Sequence, residues 1–266
     1  MTPTPTPAWD PHQYLRHADH RGRPFVDLLA RVPALPGEPA RIADLGCGPG
    51  NVTTLLAERW PTARITGYDN SPQMLEQAAA HATDRLDFAY ADAADWTPTE
   101  TYDLLVSNAT LQWLPDHADA FPRWIDAVAP GGTFAFQVPG NFAAPSHVLM
   151  RELAESARWK DRLPGVLRHG DAVLAPAAYL ARLAGLGCEV DAWETTYLHL
   201  LEGPDPVLDW VKGTGLRPVL TALEDDEEAR DAFVTEYRDL LREAYPSTPH
   251  GTVLPFRRIF AVATRP

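Results

Sequence analysis

The feature that most constrains the fold of this chain is the heptapeptide at residues 44–50, which reads Asp-Leu-Gly-Cys-Gly-Pro-Gly. It follows an apolar, strand-like segment at 41–45 and precedes a helix-like segment at 51–60. Glycine is needed where a backbone turns tightly and lets a ligand approach its main chain. A strand, a glycine-rich turn and a helix N-terminus together predict the nucleotide-binding corner of an α/β sheet.

The spacing of the glycines distinguishes between classes of nucleotide-binding site. Gly46, Gly48 and Gly50 give Gly-x-Gly-x-Gly, whereas dinucleotide enzymes carry Gly-x-Gly-x-x-Gly and phosphate loops end in Lys. Asp44 would repel a pyrophosphate, but it suits a ligand with a positive amine and a sulfonium. The motif resembles the first motif of the S-adenosylmethionine-dependent methyltransferases. This resemblance implies S-adenosyl-L-methionine as the cofactor and S-adenosyl-L-homocysteine as the product.

Beyond this corner, strand-like and helix-like segments alternate, which predicts a parallel sheet with right-handed crossovers. Strands are expected at residues 41–45, 64–69, 86–90, 102–108, 133–138, 188–200 and 257–264. Helices are expected within 14–32, with Pro24 at a helix start, and over 51–60, 71–81 and 120–128, the last halted by Pro130. This pattern gives an α/β fold class. The methyltransferase resemblance implies a Rossmann-like, seven-stranded methyltransferase sheet, mostly parallel with an antiparallel last strand, and helices on both faces.

The domain organisation follows from changes in the pattern. Alternating Thr and Pro predict a disordered lead at residues 1–8, and N-terminal helices at 9–34 are expected over the cofactor site. Residues 35–266 form the methyltransferase domain, with helical substrate insertions at about 139–185 and 202–252. The second insertion would act as a lid at the carboxyl edge of the sheet, where α/β sheets bind ligands. The acidic run at 224–228 indicates a solvated helix start.

The charge excludes several classes of partner. The formal net charge is −13 and the pI is near 5.0, which argues against nucleic acid and against an anionic membrane surface. A small anionic carboxylic acid stays open as a substrate, because its pocket can be locally basic. No segment has the ~20 apolar residues that span a bilayer. Cys47 and Cys188 lack metal-ligand spacing, which indicates free thiols and no metal site in a cytoplasmic protein. The sequence leaves open whether the chain is a monomer or a dimer.

The methyltransferase resemblance assigns cofactor roles to residues at the strand ends. It implies that Asp44, Gly46 and Gly48 bind the methionine end and that Asp69, beside Asn70, binds the ribose hydroxyls. It also implies that Asp92 and the backbone of Ala93 bind adenine. Asn108 and Gln112 would face the methionine moiety. Asp95 is interpreted instead as a turn residue.

Other segments resemble one family more specifically. They are residues 108–117 (Asn-Ala-Thr-Leu-Gln-Trp-Leu-Pro-Asp-His), 145–152, 188–197, 213–218 (Gly-Thr-Gly-Leu-Arg-Pro), 256–260 and Trp-Asp-Pro at 9–11. These segments look like those of the trans-aconitate 2-methyltransferases, and the resemblance covers most of the chain from Trp9 onward. It implies methyl transfer to one carboxylate of trans-aconitate, giving the monomethyl ester. The Thr-Pro lead and the histidines His17 and His20 lie outside the resemblance.

A carboxylate substrate requires no general base, because it is already ionised at pH 7 with a pKa of about 4. No acid–base catalytic pair is therefore expected, and positioning is assigned to Trp113, His147 and Arg217. Arginine suits the binding of the acid because its planar fork grips a carboxylate. The predicted substrate-binding residues are Tyr14, Trp113, His147, Tyr197, Arg217, Tyr237, Arg257 and Arg258. Since neighbours in a strand point oppositely, only one of Arg257 and Arg258 is expected to face the pocket.

Of three alternatives to this function, one stays open and two are disfavoured. The nearest is a carboxyl methyltransferase for another small acid or a carrier-linked acid, although no exposed basic patch for a carrier stands out. A non-catalytic S-adenosylmethionine-binding regulator is disfavoured because the cofactor motif is intact and a substrate lid is predicted. An NAD-dependent oxidoreductase would require a different glycine spacing and a Tyr-Lys pair.

Overall fold

The computed structural model describes residues 18–167 and 172–266. The chain divides into two compact units. The first, which we call the sheet unit, comprises residues 19–139, 172–195 and 258–266. The second, the helical unit, comprises the described parts of residues 140–171 and 196–257, with Ala18. Tyr14, the Thr-Pro lead and the start of the predicted N-terminal helices lie outside the described residues.

The strands form one mixed sheet of seven strands in the order β3-β2-β1-β4-β5-β7-β6. Strands β1 to β5 run parallel to their neighbours, and β7 runs antiparallel to β5. This arrangement confirms the predicted mostly parallel sheet with an antiparallel last strand. The strands are β1 Arg41–Leu45, β2 Arg64–Asp69, β3 Leu86–Tyr90, β4 Tyr102–Asn108, β5 Val128–Pro139, β6 Glu189–Leu201 and β7 Thr252–Thr264.

Most of the helices begin where the sequence supplies proline or a capping side chain. Ser71 Oγ accepts a hydrogen bond from Met74 N–H at 3.3 Å, and Asp226 Oδ1 accepts one from Ala229 N–H at 2.9 Å. The acidic run at 224–228 is thus confirmed as a helix start. The helices are α1 Ala18–Leu29, α2 Thr54–Arg59, α3 Pro72–Ala78, α4 Phe121–Asp126, α5 Pro145–Ala154, α6 Pro176–Gly185, α7 Pro206–Lys212, α8 Arg217–Ala222 and α9 Glu227–Ala244. Short 3-10 helices lie at Ala79–His81, Leu111–Trp113 and His117–Ala120.

Four predicted boundaries are wrong. Pro24 lies inside α1 and not at a helix start, where its ring removes one internal hydrogen bond. The helix predicted over 120–128 ends at Asp126, because Arg265 Nη1 donates to the carbonyls of Asp126 and Val128 at 2.9 and 2.6 Å. Val128 instead begins β5, which continues through Gly131 with a shift of register against β4. Strand β7 begins at Thr252, five residues earlier than the predicted start at 257.

The core of the sheet unit is aromatic. The ring of Phe121, which is fully buried, lies 5.4 Å from the rings of both Phe134 and Phe136 and 6.0 Å from that of Trp124. The ring of Tyr179 in α6 packs in the same cluster, and its centroid lies 4.9 Å from that of Phe136. Because such rings each bury a large apolar area, this cluster supplies much of the hydrophobic stabilisation beneath β4 and β5.

The helical unit has a core of its own. Trp159 packs edge-on against Phe233 of α9 at 5.3 Å, and His199 of β6 stacks on Trp210 of α7 at 4.7 Å. Tyr237 of α9 is fully buried in the same cluster. Among the helices of residues 18–167 and 172–266, none combines the length and apolar character that crossing a membrane requires.

Phe121→Ala tests the aromatic core of the sheet unit. We expect the free energy of unfolding to fall by about 3–5 kcal/mol, since the truncation removes buried ring contacts and leaves a cavity. Urea unfolding followed by circular dichroism measures the change. Tyr90→Ala is the control, because the Tyr90 side chain is 67% exposed and its loss should cost within about 0.5 kcal/mol. Equal effects of the two substitutions would contradict the assignment of the core.

Candidate functional site

The glycine-rich turn after β1 has a backbone that only glycine adopts easily. Gly46 and Gly48 have φ angles of +76° and +57°. A Cβ atom at Gly46 would lie 2.1 Å from Thr110 Oγ1, whereas a Cβ at Gly48 would meet nothing within 4 Å. The turn is therefore packed against the segment after β4 at Gly46 and open at Gly48. An open glycine backbone of this kind lets a ligand approach the main chain.

Asp44 is a buried carboxylate beside this turn, with 1% of its surface exposed. Its Oδ2 accepts a hydrogen bond from Thr53 Oγ1 at 2.8 Å. Its Oδ1 is buried and has no hydrogen-bond partner among the described residues. Burial raises the pKa of Asp44 to about 7, with the Thr53 hydrogen bond opposing the shift and the charge of Asp69 adding to it. An oxygen left in this state fits a positively charged group of a ligand.

Asp69 joins the glycine turn to the turn after β2. Its Oδ2 accepts the N–H of Gly48 and its Oδ1 accepts the N–H of Ser71, both at 2.9 Å. Burial raises the pKa of Asp69, while the backbone hydrogen bonds from Ser71, Gly48 and Asn70 lower it. Each carboxylate oxygen carries a further lone pair. Asp69 can therefore accept two hydroxyl groups without giving up its backbone partners.

Asp92, after β3, is the third acidic residue at this edge of the sheet. Asn70 Nδ2 donates to its Oδ2 at 3.1 Å, and Ala94 N–H donates to its Oδ1 at 2.9 Å. Asp92 and Ala93 are half-buried and Asn70 is exposed. The structure thus brings the predicted ribose and adenine residues together through the Asn70–Asp92 hydrogen bond.

Polar side chains follow β4 in the same unit. Asn108, which is 8% exposed, accepts a hydrogen bond at Oδ1 from Gln137 Nε2 at 2.5 Å. Gln137 Oε1 in turn accepts one from Arg258 Nη1 at 3.4 Å. Gln112 is buried and donates to Ala109 O at 2.6 Å, while Trp113 is half-buried. Arg258 therefore belongs to a buried polar chain that ends at Asn108.

A separate group of predicted residues lies in the helical unit. Tyr237 OH donates to Ser146 O at 2.7 Å, and Tyr245 OH accepts Ser146 N–H at 3.1 Å. These two hydroxyls hold the first turn of α5, in which Ser146 Oγ lies 3.2 Å from His147 Nδ1. Burial raises the pKa of Tyr237. Tyr237 thus positions the residue beside His147, and its phenolic oxygen keeps a lone pair for a further donor. Tyr197 of β6 is also buried.

The turn before α8 lies next to His147. A Cβ atom at Gly215 would lie 3.3 Å from His147 Nε2. Arg217, two residues further on, is half-buried at the first position of α8. The helical unit therefore places His147 beside the turn that carries Arg217.

Sequence reasoning missed three polar residues that the structure links to these groups. Thr53 donates to Asp44, Asn141 Oδ1 accepts the N–H of Arg257 at 2.7 Å, and Arg151 Nη2 donates to Phe142 O at 2.7 Å. The one usable signal was the position of Asn141 directly after Gly140, where the apolar strand β5 ends. Arg257 Nη1 also donates to Gly140 O at 3.3 Å, so Arg257 and Arg258 have different side-chain partners.

The chain is similar in sequence to known methyltransferases. A family model described as a methyltransferase domain matches residues 42–132. The trans-aconitate 2-methyltransferase of Streptomyces avermitilis is 71% identical over 98% of both chains. That of Streptomyces coelicolor is 70% identical over 99% of this chain and 89% of its own. The chain belongs to the trans-aconitate 2-methyltransferase family.

Solved structures show how widely the fold of this family member is shared. The YcgJ protein of Bacillus subtilis matches with a TM-score of 0.59 over 93% of this chain and 98% of its own, at 14% sequence identity. At that identity the likeness concerns the fold alone. The Rossmann-like methyltransferase fold is thus present in this member of the trans-aconitate 2-methyltransferase family.

Asp44→Asn tests the buried charge in this family member. An unfolded Asp ionises near 3.8, whereas the folded pKa is about 7. The native state thus holds the extra proton between these values, and its stability falls as pH rises through that window and is level above it. The variant keeps an oxygen for Thr53 and lacks this loss.

We expect Asp44→Asn to gain about 2–4 kcal/mol over the wild type near pH 8 and clearly less near pH 5. Urea unfolding of the ligand-free proteins at the two pH values measures the difference. A difference that does not change with pH would show that Asp44 is not the group with the raised pKa.

Proposed function

We propose that this chain transfers a methyl group from S-adenosylmethionine to one carboxylate of trans-aconitate, giving the monomethyl ester and S-adenosylhomocysteine. The observation that carries the proposal is the 71% identity, over 98% of both chains, to a relative named for this reaction. The intact glycine turn and its acidic neighbours support the choice of cofactor.

The residues of the sheet unit fit the chemical groups of S-adenosylmethionine. The buried Oδ1 of Asp44 suits the positive amine, and the open backbone at Gly48 suits close contact with the methionine end, together with Gly46. Asp69 is assigned to the ribose hydroxyls, with Asn70 beside it, and the adenine is assigned to Asp92 and Ala93. Asn108 and Gln112 complete the set at the methionine moiety. When bound, the cofactor supplies an electrophilic methyl group.

The chain's own contribution to the reaction is alignment and charge. Because the acid is ionised at pH 7, no side chain has to remove a proton. Rate enhancement then comes from holding the acceptor oxygen in line in a dry site. We assign that positioning to Trp113, His147 and Arg217. Tyr197, Tyr237, Arg257 and Arg258 are proposed to help bind the acid, as is Tyr14, which lies outside the described residues.

The organisation of the chain supports the same division of tasks. Helix α5 lies in the insertion predicted at 139–185 and belongs to the helical unit, as do α7 to α9 in the insertion predicted at 202–252. Helix α6 also lies in the first predicted insertion, but it belongs to the sheet unit. We assign substrate binding mainly to the helices of the helical unit and cofactor binding to the sheet. Cys47 and Cys188 are both free thiols, which supports a place in the reducing cytoplasm.

Mass spectrometry tests the proposed reaction directly. The purified protein is mixed with S-adenosylmethionine and, in separate reactions, trans-aconitate, cis-aconitate, citrate and a carrier-linked acid. We expect a monomethyl ester from trans-aconitate to form well ahead of any other ester. An ester from another acid alone would assign the same chemistry to a different substrate. Cofactor binding without any ester would favour a non-catalytic S-adenosylmethionine-binding protein.

Asp69→Ala tests the ribose assignment. The substitution removes a carboxylate with two backbone partners, and we expect the affinity for S-adenosylhomocysteine to fall about ten-fold or more. Isothermal titration calorimetry measures the affinity. Asp95→Ala is the matched control, because Asp95 is an exposed turn residue of the same unit, and its affinity should stay at the wild-type value. Unchanged affinity in Asp69→Ala would remove Asp69 from the site.

A further inference from the structure

We propose that Asn141 and Arg151 bind a carboxylate of the acid that is not methylated, at the loop of residues 140–142 that follows β5. This inference rests on the proposed function and names two binding residues for its acidic substrate. Both residues belong to the helical unit. Among the described residues, no acidic side chain lies within salt-bridge distance of Arg151.

The amide of Asn141 has a fixed orientation and an unused donor. Its Oδ1 accepts the backbone N–H of Arg257 at 2.7 Å. Since only oxygen can accept that hydrogen bond, the other end of the amide must be the NH2 group. Nδ2 is buried and has no hydrogen-bond partner among the described residues, and the side chain is 4% exposed. Most buried side-chain donors in proteins are hydrogen-bonded, so the Asn141 amide has a donor available for a ligand.

Two guanidinium groups are bonded to the backbone on either side of Asn141. Arg151 Nη2 donates to Phe142 O at 2.7 Å, and Arg257 Nη1 donates to Gly140 O at 3.3 Å. Because a carbonyl is neutral, its hydrogen bond does not compensate the positive charge of Arg151, which has no acidic side chain within salt-bridge distance in the described part of the chain. The Arg151 guanidinium therefore brings positive charge to the loop of residues 140–142 in a chain of net charge −13.

The chemistry of this loop suits a spectator carboxylate and not the reacting one. Hydrogen bonds from an amide and a guanidinium engage the lone pairs of a carboxylate and favour its charged form. An oxygen held in this way is a poorer nucleophile than a free one. Trans-aconitate carries three carboxylates, so the loop can hold one of them while another accepts the methyl group. The loop would thus select acids with a second carboxylate.

Asn141→Asp separates ligand binding from structure. The aspartate keeps an oxygen for the Arg257 N–H, but it replaces the NH2 donor with a second carboxylate oxygen, which cannot donate to the acid. We expect the KM for trans-aconitate to rise at least ten-fold, while the affinity for S-adenosylhomocysteine and the melting temperature stay at wild-type values. If Asn141 serves only to hold β7, this variant keeps its wild-type KM, and the inference fails.

Arg151→Met supplies a second test that does not depend on Asn141. We expect a rise of at least ten-fold in the KM for trans-aconitate, with partial recovery in Arg151→Lys, which keeps the charge. Lys160→Met is the matched control, because it removes one exposed positive charge from the same unit and should leave KM unchanged. Equal KM values in Arg151→Met and the control would overturn the role of Arg151.

The failure of this inference can be told apart from failure of the proposed function. Wild-type ester formation together with wild-type KM values in the variants overturns the inference alone. Titration calorimetry of trans-aconitate into the wild type and Asn141→Asp, each saturated with S-adenosylhomocysteine, reports binding without turnover. Absence of both trans-aconitate binding and ester formation in the wild type overturns the inference and the function together.

Discussion

The carboxylate of Asp69 is the interaction on which the geometry of the cofactor side depends. The parallel ladder between β1 and β2 continues past its last strand pair, since Gly46 and Cys47 N–H both donate to Tyr68 O. The next part of the glycine turn is held by the Asp69 side chain, which accepts the N–H of Gly48. Because its second oxygen holds Ser71 at the start of α3, one side chain fixes two loops. The end of β2 therefore determines the shape of the glycine turn after β1.

The same turn carries an electrostatic cost. Asp44 and Asp69 are both acidic, and burial raises the pKa of each. Only Thr53 offsets this at Asp44 among the described residues. A ligand with a positive amine relieves the repulsion, so part of its binding free energy is the removal of an unfavourable interaction in the free protein. Ligand binding of this kind also stabilises the folded state. Function and stability thus oppose one another at Asp44.

Much of the fold was predictable from the sequence because the residues that specify its strands, turns and helix caps lie close together along the chain. The strand, glycine turn and helix at 41–60 and the Asp226 cap each depend on residues a few positions apart. The errors arose where distant residues decide the outcome. Helix α4 ends at Asp126 because Arg265, 139 residues away, binds its last carbonyl. The same limit hid Asn141, whose backbone partner Arg257 lies 116 residues further along the chain. No periodicity or propensity encodes such pairs.

An acidic chain can bind an anion because donors in contact with the anion act on it more strongly than distant surface charges do. The net charge of −13 is carried by side chains that are mostly exposed, and physiological salt screens such charges beyond about 8 Å. Donors within hydrogen-bond distance are not screened in this way, particularly where water is excluded. In the proposed site, the Arg151 guanidinium and the Asn141 amide would act at that range, and each is held by a hydrogen bond to the backbone. On this proposal, the global charge governs how fast an acid arrives, whereas a few nearby donors govern how long it stays bound.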